Sequence, residues 1–361
     1  MIITRLELLD WRNYARLALD LADGTVAVLG DNGQGKTNLT ESLGYLATMR
    51  SFRGVPSAAL IRDGATEAVV RATVRHDDGR EVLVEARLAR EGRNVIHVNR
   101  RRLARARDLL GVVRTTVFSP DDLELVKGGP QLRRDWLDDA LVALAVRHDA
   151  LRLEVDRVVR QRNATLKAAA ARLGDAVASM LDAWDAKYAD VGTRLGDARA
   201  HLVGRLAPEV DRAYGDLAGT AGVVALGYEP AWRAAGLAAA LAAARPEDVR
   251  RGLTTVGPHR DDASLAIAGL DARTHASQGE QRTLALAMRL AVHRLVTQET
   301  GESPVLVLDD VLSELDDRRA TALLAHVPAG QALITSASAL PSAAHIVQCV
   351  RIVSGALEAT T

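Results

Sequence analysis

The sequence has a single cysteine, no net charge and no long apolar run. Cys349 has no partner for an internal disulfide, and the apolar residues around it predict a thiol in the core. The first residues lack the apolar segment of a signal peptide, and no stretch is long enough to span a bilayer. We therefore expect a cytoplasmic protein that does not enter a membrane.

The charge balance restricts how the chain could contact nucleic acid. Lysine and arginine number 46, and so do aspartate and glutamate, whereas a DNA-binding protein is more typically basic. Any nucleic-acid contact must therefore come from a local patch. The densest basic cluster comprises Arg100, Arg101, Arg102, Arg105 and Arg107. Such clusters are usually solvated surface, and contact with phosphates remains the open alternative.

One segment has the pattern of a phosphate-binding loop. Residues 30–37 read Gly-Asp-Asn-Gly-Gln-Gly-Lys-Thr and fit G-x-x-x-x-G-K-[ST], in which backbone N–H groups surround phosphates. Lys36 would reach the β- and γ-phosphate oxygens, and Thr37 would place its hydroxyl on Mg²⁺. The candidate nucleotide-binding residues of the loop are Gly30, Asp31, Asn32, Gly33, Gln34, Gly35, Lys36 and Thr37.

The segments on either side of the loop support this interpretation. Residues 25–29 read as a short buried strand, and residues 38–49 read as a helix with Leu39, Leu43 and Leu46 at helical spacing. The motif requires this strand, loop and helix order. The sequence therefore predicts that the chain binds ATP or GTP.

A second segment predicts the carboxylates of the same site. Residues 305–308 are an apolar strand that ends in Asp309 and Asp310, the Walker B arrangement. Asp309 is the candidate Mg²⁺ ligand, together with Thr37. Asp310 is placed where a general base could orient the attacking water, so Asp310 and Lys36 are the candidate catalytic residues.

The segment Ser-Gln-Gly-Glu-Gln at 277–281 allows two interpretations, which are compatible. Ser277 followed by Glu280 is a helix capping box, and a structural role explains it fully. The same helix N-terminus could also form an anion site. In ATP-binding-cassette proteins such a signature helix contacts the γ-phosphate held by the partner subunit.

Long helices are predicted between about 131 and 215. Apolar residues alternate steps of three and four, which predicts two helices packed as an antiparallel hairpin with a break near Gly174. Arginines in this region, including Arg152 and Arg162, scatter around the helical wheel instead of forming one stripe. We expect them on a solvated helix surface.

Several spaced motifs occur together in one order along the chain. Besides the phosphate loop and the segment 277–281, they are Asp-Trp-Arg-Asn-Tyr at 10–14, Phe-Ser-Pro-Asp-Asp-Leu at 118–123, Lys-Gly-Gly-Pro at 127–130 with Arg133 and Arg134, Arg-Gln-Arg-Asn at 160–163, Gly-Pro-His-Arg-Asp-Asp at 257–262, and Leu-Asp-Asp at 308–310 followed by Leu315 and Asp316. This set resembles the RecF family, which is related to the SMC heads among the cassette ATPases.

The resemblance implies an α/β fold, namely an ABC/SMC-type P-loop ATPase head with a helical second lobe that bears a short antiparallel helical arm. It divides the chain into an ATP-binding lobe built from residues 1–115 and 251–361 and a helical lobe at 116–250. Carried over by position, Arg12 and Asn13 lie near the nucleotide. Residues Ser277, Gly279 and Gln281 contact nucleotide through the signature helix, Ser277 at the γ-phosphate of the partner.

The resemblance also implies a function. The cofactors are ATP and Mg²⁺, and the chain closes into a homodimer around ATP. Such proteins bind DNA at gaps and single-strand/double-strand junctions, and with RecR and RecO they assist RecA loading during repair and replication restart.

Two departures from cassette ATPases predict weak hydrolysis, and the resemblance implies that this hydrolysis depends on DNA. Asp310 stands where glutamate is usual, and Thr335 and Ser336 follow a strand where transporters have a switch histidine. ATP would then act chiefly as a dimerisation switch. A purely structural, tethering SMC-like head is disfavoured by the short helical hairpin. A transporter motor subunit is disfavoured by the helical insertion, the signature sequence and the missing histidine.

Overall fold

The computed structural model describes residues 1–171, 175–220, 222–338, 340–341 and 344–358. Within these residues the chain divides into two compact units. The first comprises residues 1–123, 212–222 and 277–361, and the second comprises 124–211 and 223–276. The segment 251–276 thus lies in the helical unit, whereas the sequence assigned it to the ATP-binding lobe. Its strand at Ser264–Ile267 pairs with the strand at Val224–Gly227, a contact between distant segments that composition does not signal.

An antiparallel sheet forms the first layer of the first unit. Its spatial order is β2-β1-β4-β5-β6-β7, with alternating residues facing a large apolar core. The strands are β1 (Ile2–Trp11), β2 (Tyr14–Asp20), β4 (Glu67–Arg75), β5 (Glu81–Ala89), β6 (Val95–Val98) and β7 (Arg101–Arg102).

A second, mostly parallel sheet of the first unit carries the phosphate loop. Its order is β15-β14-β3-β13-β12-β8, and its central strands are apolar runs buried on both faces. The strands are β3 (Thr25–Leu29), β8 (Thr115–Phe118), β12 (Val305–Asp309), β13 (Ala332–Ser336), β14 (Ile346–Val353) and β15 (Ala356–Leu357). Loops at the carboxyl ends of β3, β12 and β13 therefore meet at one edge.

Among the described residues, three helices of the first unit are near strands of this sheet along the chain: one follows β3, one precedes β12 and one lies between β12 and β13. The loop after β3 leads into α1 (Lys36–Thr48). The helix α8 (Gln278–Thr300) begins at the predicted capping box and ends at Gly301, whose left-handed backbone (φ 72°) closes its last turn. The helix α9 (Asp317–Ala325) starts at Asp316, whose carboxylate accepts a bond from the Arg319 backbone N–H.

The second unit is predominantly helical and carries a three-stranded sheet of order β11-β10-β9. Its elements are α2 (Glu124–Lys127), α3 (Pro130–Leu144), α4 (Arg147–Ala171), the start of α5 (Asp175–Ala218), β9 (Val224–Gly227), α6 (Leu237–Arg251), β10 (Ser264–Ile267), β11 (Leu270–Asp271) and α7 (Ala272–His275). None of the described helices is both long and apolar enough to cross a bilayer.

The helical region differs from its prediction in two ways. A break at 145–146 separates α3 from α4, so three helices replace the expected two, and the predicted break at Gly174 lies outside the described residues. Arg152 and Arg162 are not solvated as predicted. Arg162 is fully buried and pairs with Asp185 and Asp248, because polar partners from neighbouring helices meet it there.

Cys349 also departs from its prediction, because its side chain is exposed. The alternation of β14 puts Val347, Cys349, Arg351 and Val353 on one face, and each of these residues is exposed. An apolar run near the edge of a sheet is therefore not buried on both faces, unlike the central strands. The apolar run predicted a buried strand because hydrophobic periodicity cannot distinguish a central strand from a strand near the edge of a sheet.

Candidate functional site

The phosphate loop depends on glycines at strained or crowded positions. Gly30, Gly33 and Gly35 have φ values of 155°, 81° and 119°, which residues with a side chain rarely adopt. A Cβ at Gly35 would lie 2.6 Å from the Asn13 amide nitrogen. Helix α1 starts at Gly35 without a side-chain cap, so its N-terminal N–H groups are available to an anion.

Lys36 lies across the loop and is 3% exposed. Its Nζ donates to the carbonyl oxygens of Gly30 (2.8 Å) and Asp31 (3.1 Å). The same nitrogen lies 3.9 Å from Asp310 Oδ2, so the two charges face each other without a direct hydrogen bond. The loop thus holds a buried cation whose carboxylate partner is not in close contact.

The two carboxylates after β12 have different surroundings. Asp309 Oδ1 accepts hydrogen bonds from the hydroxyls of Thr40 and Thr335, both at 3.0 Å. Burial raises the pKa of Asp309, while hydrogen bonds from Thr37, Thr335 and Thr40 oppose the rise. These contacts bring Asp309 to the start of α1, beside Thr37.

Asp310 is held at the same edge in a left-handed conformation (φ 52°), and its backbone N–H donates to Thr335 Oγ1 at 2.9 Å. Its Oδ1 is buried and has no hydrogen-bond partner among the described residues. A buried carboxylate oxygen without a donor costs free energy unless a ligand, metal or water satisfies it. This atom is therefore the clearest indication that a polar group is accommodated here.

The turn between β1 and β2 supports the loop from the other side. Arg12, at φ 52°, forms a two-point ion pair with the fully buried Glu41, at 2.7 and 2.8 Å. Asn13 Nδ2 donates to the Gln34 carbonyl at 2.9 Å, and Asn38 donates to Asn13 Oδ1 at 2.8 Å. Asn13 thus positions the loop directly, while Arg12 is anchored to α1.

The hairpin turn between β14 and β15 also contacts the loop. The Ser354 N–H donates to Gln34 Oε1 at 2.5 Å, and the Gly355 N–H donates to the Gln34 carbonyl at 3.0 Å. A Cβ at Gly355 would lie 2.7 Å from the Asn13 carbonyl oxygen. The sequence did not identify this contact, since more than 300 residues separate the two segments.

A cavity of about 720 Å³ opens over these groups. The predicted residues along its wall are Arg12, Asn13, Asn32, Gly33, Gly35, Lys36, Thr37 and Asp310. The wall also includes residues that were not predicted, which are Asn38, Arg53, Ala58, Ala59, Ile61, Asp63 and Arg90. Asn38 directly follows the motif and could have been included, whereas Arg53, Asp63 and Arg90 come from segments without a recognisable pattern.

The signature residues lie elsewhere in the first unit and are not among the residues that line this cavity. Ser277 forms the predicted capping box, with its Oγ 2.7 Å from Glu280 Oε2 and accepting from the Glu280 N–H at 3.3 Å. Gly279 lies against the Arg319 guanidinium, which a Cβ would approach to 3.0 Å, and Gln281 is buried. Any contact of these residues with a nucleotide would thus be with one outside this cavity.

The donor set fits a nucleotide with a divalent cation. The glycine backbone and Lys36 present positive groups to phosphates, and a hydroxyl beside a carboxylate is a usual Mg²⁺ arrangement when phosphates complete the shell. Thr37 and Asp309 meet that requirement, and Asp310, whose Oδ1 has no partner among the described residues, places its Oδ2 3.9 Å from Lys36 Nζ.

Comparisons with known proteins identify relatives of the whole chain. The family model described as "RecF/RecN/SMC N terminal domain" matches residues 2–349. "DNA replication and repair protein RecF" of Acidothermus cellulolyticus is 43% identical over 350 residues, which cover 93% of this chain and 94% of that protein. Its counterpart in Streptomyces avermitilis is 44% identical over 351 residues, with the same shares covered.

A solved structure described as "Structure of the recombination mediator protein RecF-ATP in RecFOR pathway" superimposes with a TM-score of 0.91 and 30% identity, over 99% of this chain and 97% of that one. These matches confirm the fold class predicted from the motifs, an α/β head of the SMC type. With two curated relatives above 40% identity along nearly their full length, the chain belongs to the RecF family.

Proposed function

We propose that the chain is an ATP-dependent DNA-binding recombination mediator. It binds gapped DNA or single-strand/double-strand junctions as an ATP-closed dimer, and with RecO and RecR it assists RecA loading in DNA repair and replication restart. Support comes from the relatives described as replication and repair proteins and from the similar structure described with ATP in the RecFOR pathway. The motifs at 10–14 and 257–262 belong to the same family pattern.

The observation that carries the nucleotide part is the incomplete pairing of Lys36 and Asp310. Their charged atoms stay 3.9 Å apart in a buried place, and Asp310 Oδ1 has no donor. A phosphate at the loop would give Lys36 the anionic partner that Asp310 does not supply. The cluster is therefore better explained as a ligand site than as a structural ion pair.

Each residue then has a defined role at the bound nucleotide. The loop residues 30–37 and Lys36 bind the phosphates, Thr37 and Asp309 hold Mg²⁺, and Asn13 fixes the loop. Mg²⁺, when bound, neutralises charge on the β- and γ-phosphates. Asp310 accepts a proton from water as general base, with a reach one methylene shorter than that of glutamate, so hydrolysis is slow.

Slow hydrolysis makes ATP chiefly a switch between open and closed states. A ligand that binds only the closed dimer stabilises it by about 4 kcal/mol at a thousand times its dissociation constant. Ser277, Gly279 and Gln281 would contact the ATP held by the partner chain, which agrees with their absence from the described wall of the cavity in their own chain. Closure would then require ATP in the loop of each protomer.

The decisive experiment measures binding to a labelled single-strand/double-strand junction and to plain duplex by fluorescence anisotropy, with and without ATP and Mg²⁺. We expect binding to the junction that requires both. Equal binding without nucleotide would contradict the switch. Absence of DNA binding under all conditions would refute the proposed DNA-binding function and leave the DNA contact to a partner protein.

The variant Lys36→Ala tests the loop within this assay. Removing a charge-assisted contact costs about 1.5–3 kcal/mol, so ATP affinity should fall roughly 10- to 150-fold and junction binding should be lost. Lys187→Ala is the matched control, because Lys187 is an exposed lysine paired with Glu154 in the helical unit. Unchanged ATP-dependent junction binding in Lys36→Ala would refute the role of the loop.

A further inference from the structure

Three consecutive arginines end the antiparallel sheet of the first unit. Arg100 follows Asn99 in a turn where both residues have positive φ, and Arg101 and Arg102 form β7, which pairs with β6. All three side chains are exposed. No ion pair or hydrogen bond of these side chains with any residue in the described part of the chain is present.

The surrounding sequence makes this edge strongly basic. Residues 90–107 contain seven arginines and one glutamate, a local charge of +6 in a chain whose net charge is zero. We call the surface formed by Arg100, Arg101 and Arg102 the β7 edge. A potential concentrated in this way attracts polyanions, whereas the remainder of the chain carries a net charge of −6 and as a whole does not.

Arginines on the inner strands β1 and β4 of the same sheet are neutralised. Arg5 pairs with Glu7 and Asp20, and Arg71 pairs with Glu7 and Glu85. Glu85, the carboxylate that lines a groove together with Arg100, is already bound by Arg71 and Arg87. The sheet thus pairs its interior arginines and leaves three at its edge without an anion.

We infer that the β7 edge contacts the phosphodiester backbone of DNA. Guanidinium groups bind phosphate oxygens strongly, and exposed arginines without carboxylate partners lose no ion pair when they do so. Contacts between arginine and phosphate position a duplex without reading its sequence, so the contact is with backbone charge and not with particular bases. This inference rests on the proposed function, since it names the surface through which that function reaches DNA.

The test is the salt dependence of ATP-dependent junction binding by the triple variant Arg100→Gln, Arg101→Gln, Arg102→Gln. Each neutralised duplex phosphate contributes about 0.9 to the slope of log K against log salt. Losing three contacts should lower the slope by about 2.7 and weaken binding about a hundredfold near 0.15 M salt. The corresponding triple lysine variant should keep both slope and affinity close to those of the unaltered chain.

The matched control removes three exposed arginines that have partners, in Arg80→Gln, Arg194→Gln and Arg250→Gln. This control changes the net charge by the same amount as the triple glutamine variant of the β7 edge. Its slope of log K against log salt should stay within about one unit of that of the unaltered chain. ATP affinity should be unchanged in every variant. Thermal unfolding checks that all of them fold.

Equal slopes for the two triple glutamine variants would overturn the inference while leaving the proposed function intact. The inference would also be overturned if the triple glutamine variant of the β7 edge kept its DNA binding but lost binding of a polyglutamate probe. That outcome would assign the β7 edge to an acidic protein. If the unaltered chain binds no junction with ATP, the proposed function fails, and this inference fails with it.

Discussion

Two ion pairs, one in each unit, differ in how completely protein hydrogen bonds satisfy their charged groups. In the helical unit Arg199 donates to both oxygens of Asp138 at 2.8 Å and to the Pro258 carbonyl at 2.7 Å. In the first unit Lys36 and Asp310 remain 3.9 Å apart, with one carboxylate oxygen lacking a donor. Both pairs lie in buried or half-buried surroundings, so burial alone does not distinguish them.

The difference indicates which pair is structural and which serves a ligand. A pair saturated by protein donors satisfies its own desolvation and has no capacity for another polar group. An unsaturated pair is costly in isolation and becomes favourable when a ligand completes it. The following predictions separate these two cases, beginning with the largest effect.

Breaking the saturated pair should have the largest effect on stability. Asp138→Ala would leave Arg199 buried and charged without its carboxylate, which costs about 3–5 kcal/mol in free energy of unfolding. Urea denaturation followed by circular dichroism measures this. Asp197→Ala, which removes a 59% exposed carboxylate paired with Arg233, should cost less than about 1 kcal/mol. Similar losses in both variants would contradict the structural role.

Acid should destabilise both units through a histidine in each whose pKa is lowered by its surroundings. Burial lowers the pKa of His259 and of His293 from 6.5 to about 4. Their neutral forms contribute stability that is complete above about pH 6.5 and is lost as pH falls toward 4. The difference corresponds to about 3 kcal/mol for each histidine.

Denaturant unfolding between pH 7 and pH 4 measures this loss. His293→Gln should remove the contribution of the first unit and leave that of His259, whose Nδ1 lies 2.5 Å from the Tyr188 hydroxyl. A pH profile identical to that of the unaltered chain would show that folding does not lower the pKa of His293.

Gly355→Ala should weaken ATP binding in addition to destabilising the fold. Its φ of 74° makes a side chain cost about 1–2 kcal/mol, and the added Cβ would press on the Asn13 carbonyl beside the loop. Gly269→Ala is the control, because Gly269 has φ 78° and no atom within 4 Å of its Cβ position. Calorimetry with ATP should show a several-fold loss only for Gly355→Ala.

Asp310→Asn should have the smallest effect on ATP affinity. It keeps the side chain's shape and removes the base, so single-turnover hydrolysis should slow by about 10²–10⁴ while ATP still binds. The closed dimer should last longer, as size-exclusion chromatography with ATP would show. A variant unable to bind ATP would mean that Asp310, and not Asp309, holds the metal.

The sequence predicted the parts of the site whose residues are close together along the chain. The order of β3, loop and α1, and the strand before Asp309 and Asp310, follow from local motifs and are present. Contacts between distant segments were not predictable. The pairing of Arg12 with Glu41, the burial of Arg162, and the cavity wall at Arg53 and Arg90 all depend on which segments meet in three dimensions.

The position of β3 has a consequence for synthesis of the protein. This strand is hydrogen-bonded between β13 and β14, which are made more than 300 residues after it. The loop that follows it is completed by Ser354 and Gly355. During translation the phosphate loop therefore lacks these neighbours until more than 300 further residues have been made, so a product truncated before β13 cannot present a formed nucleotide site.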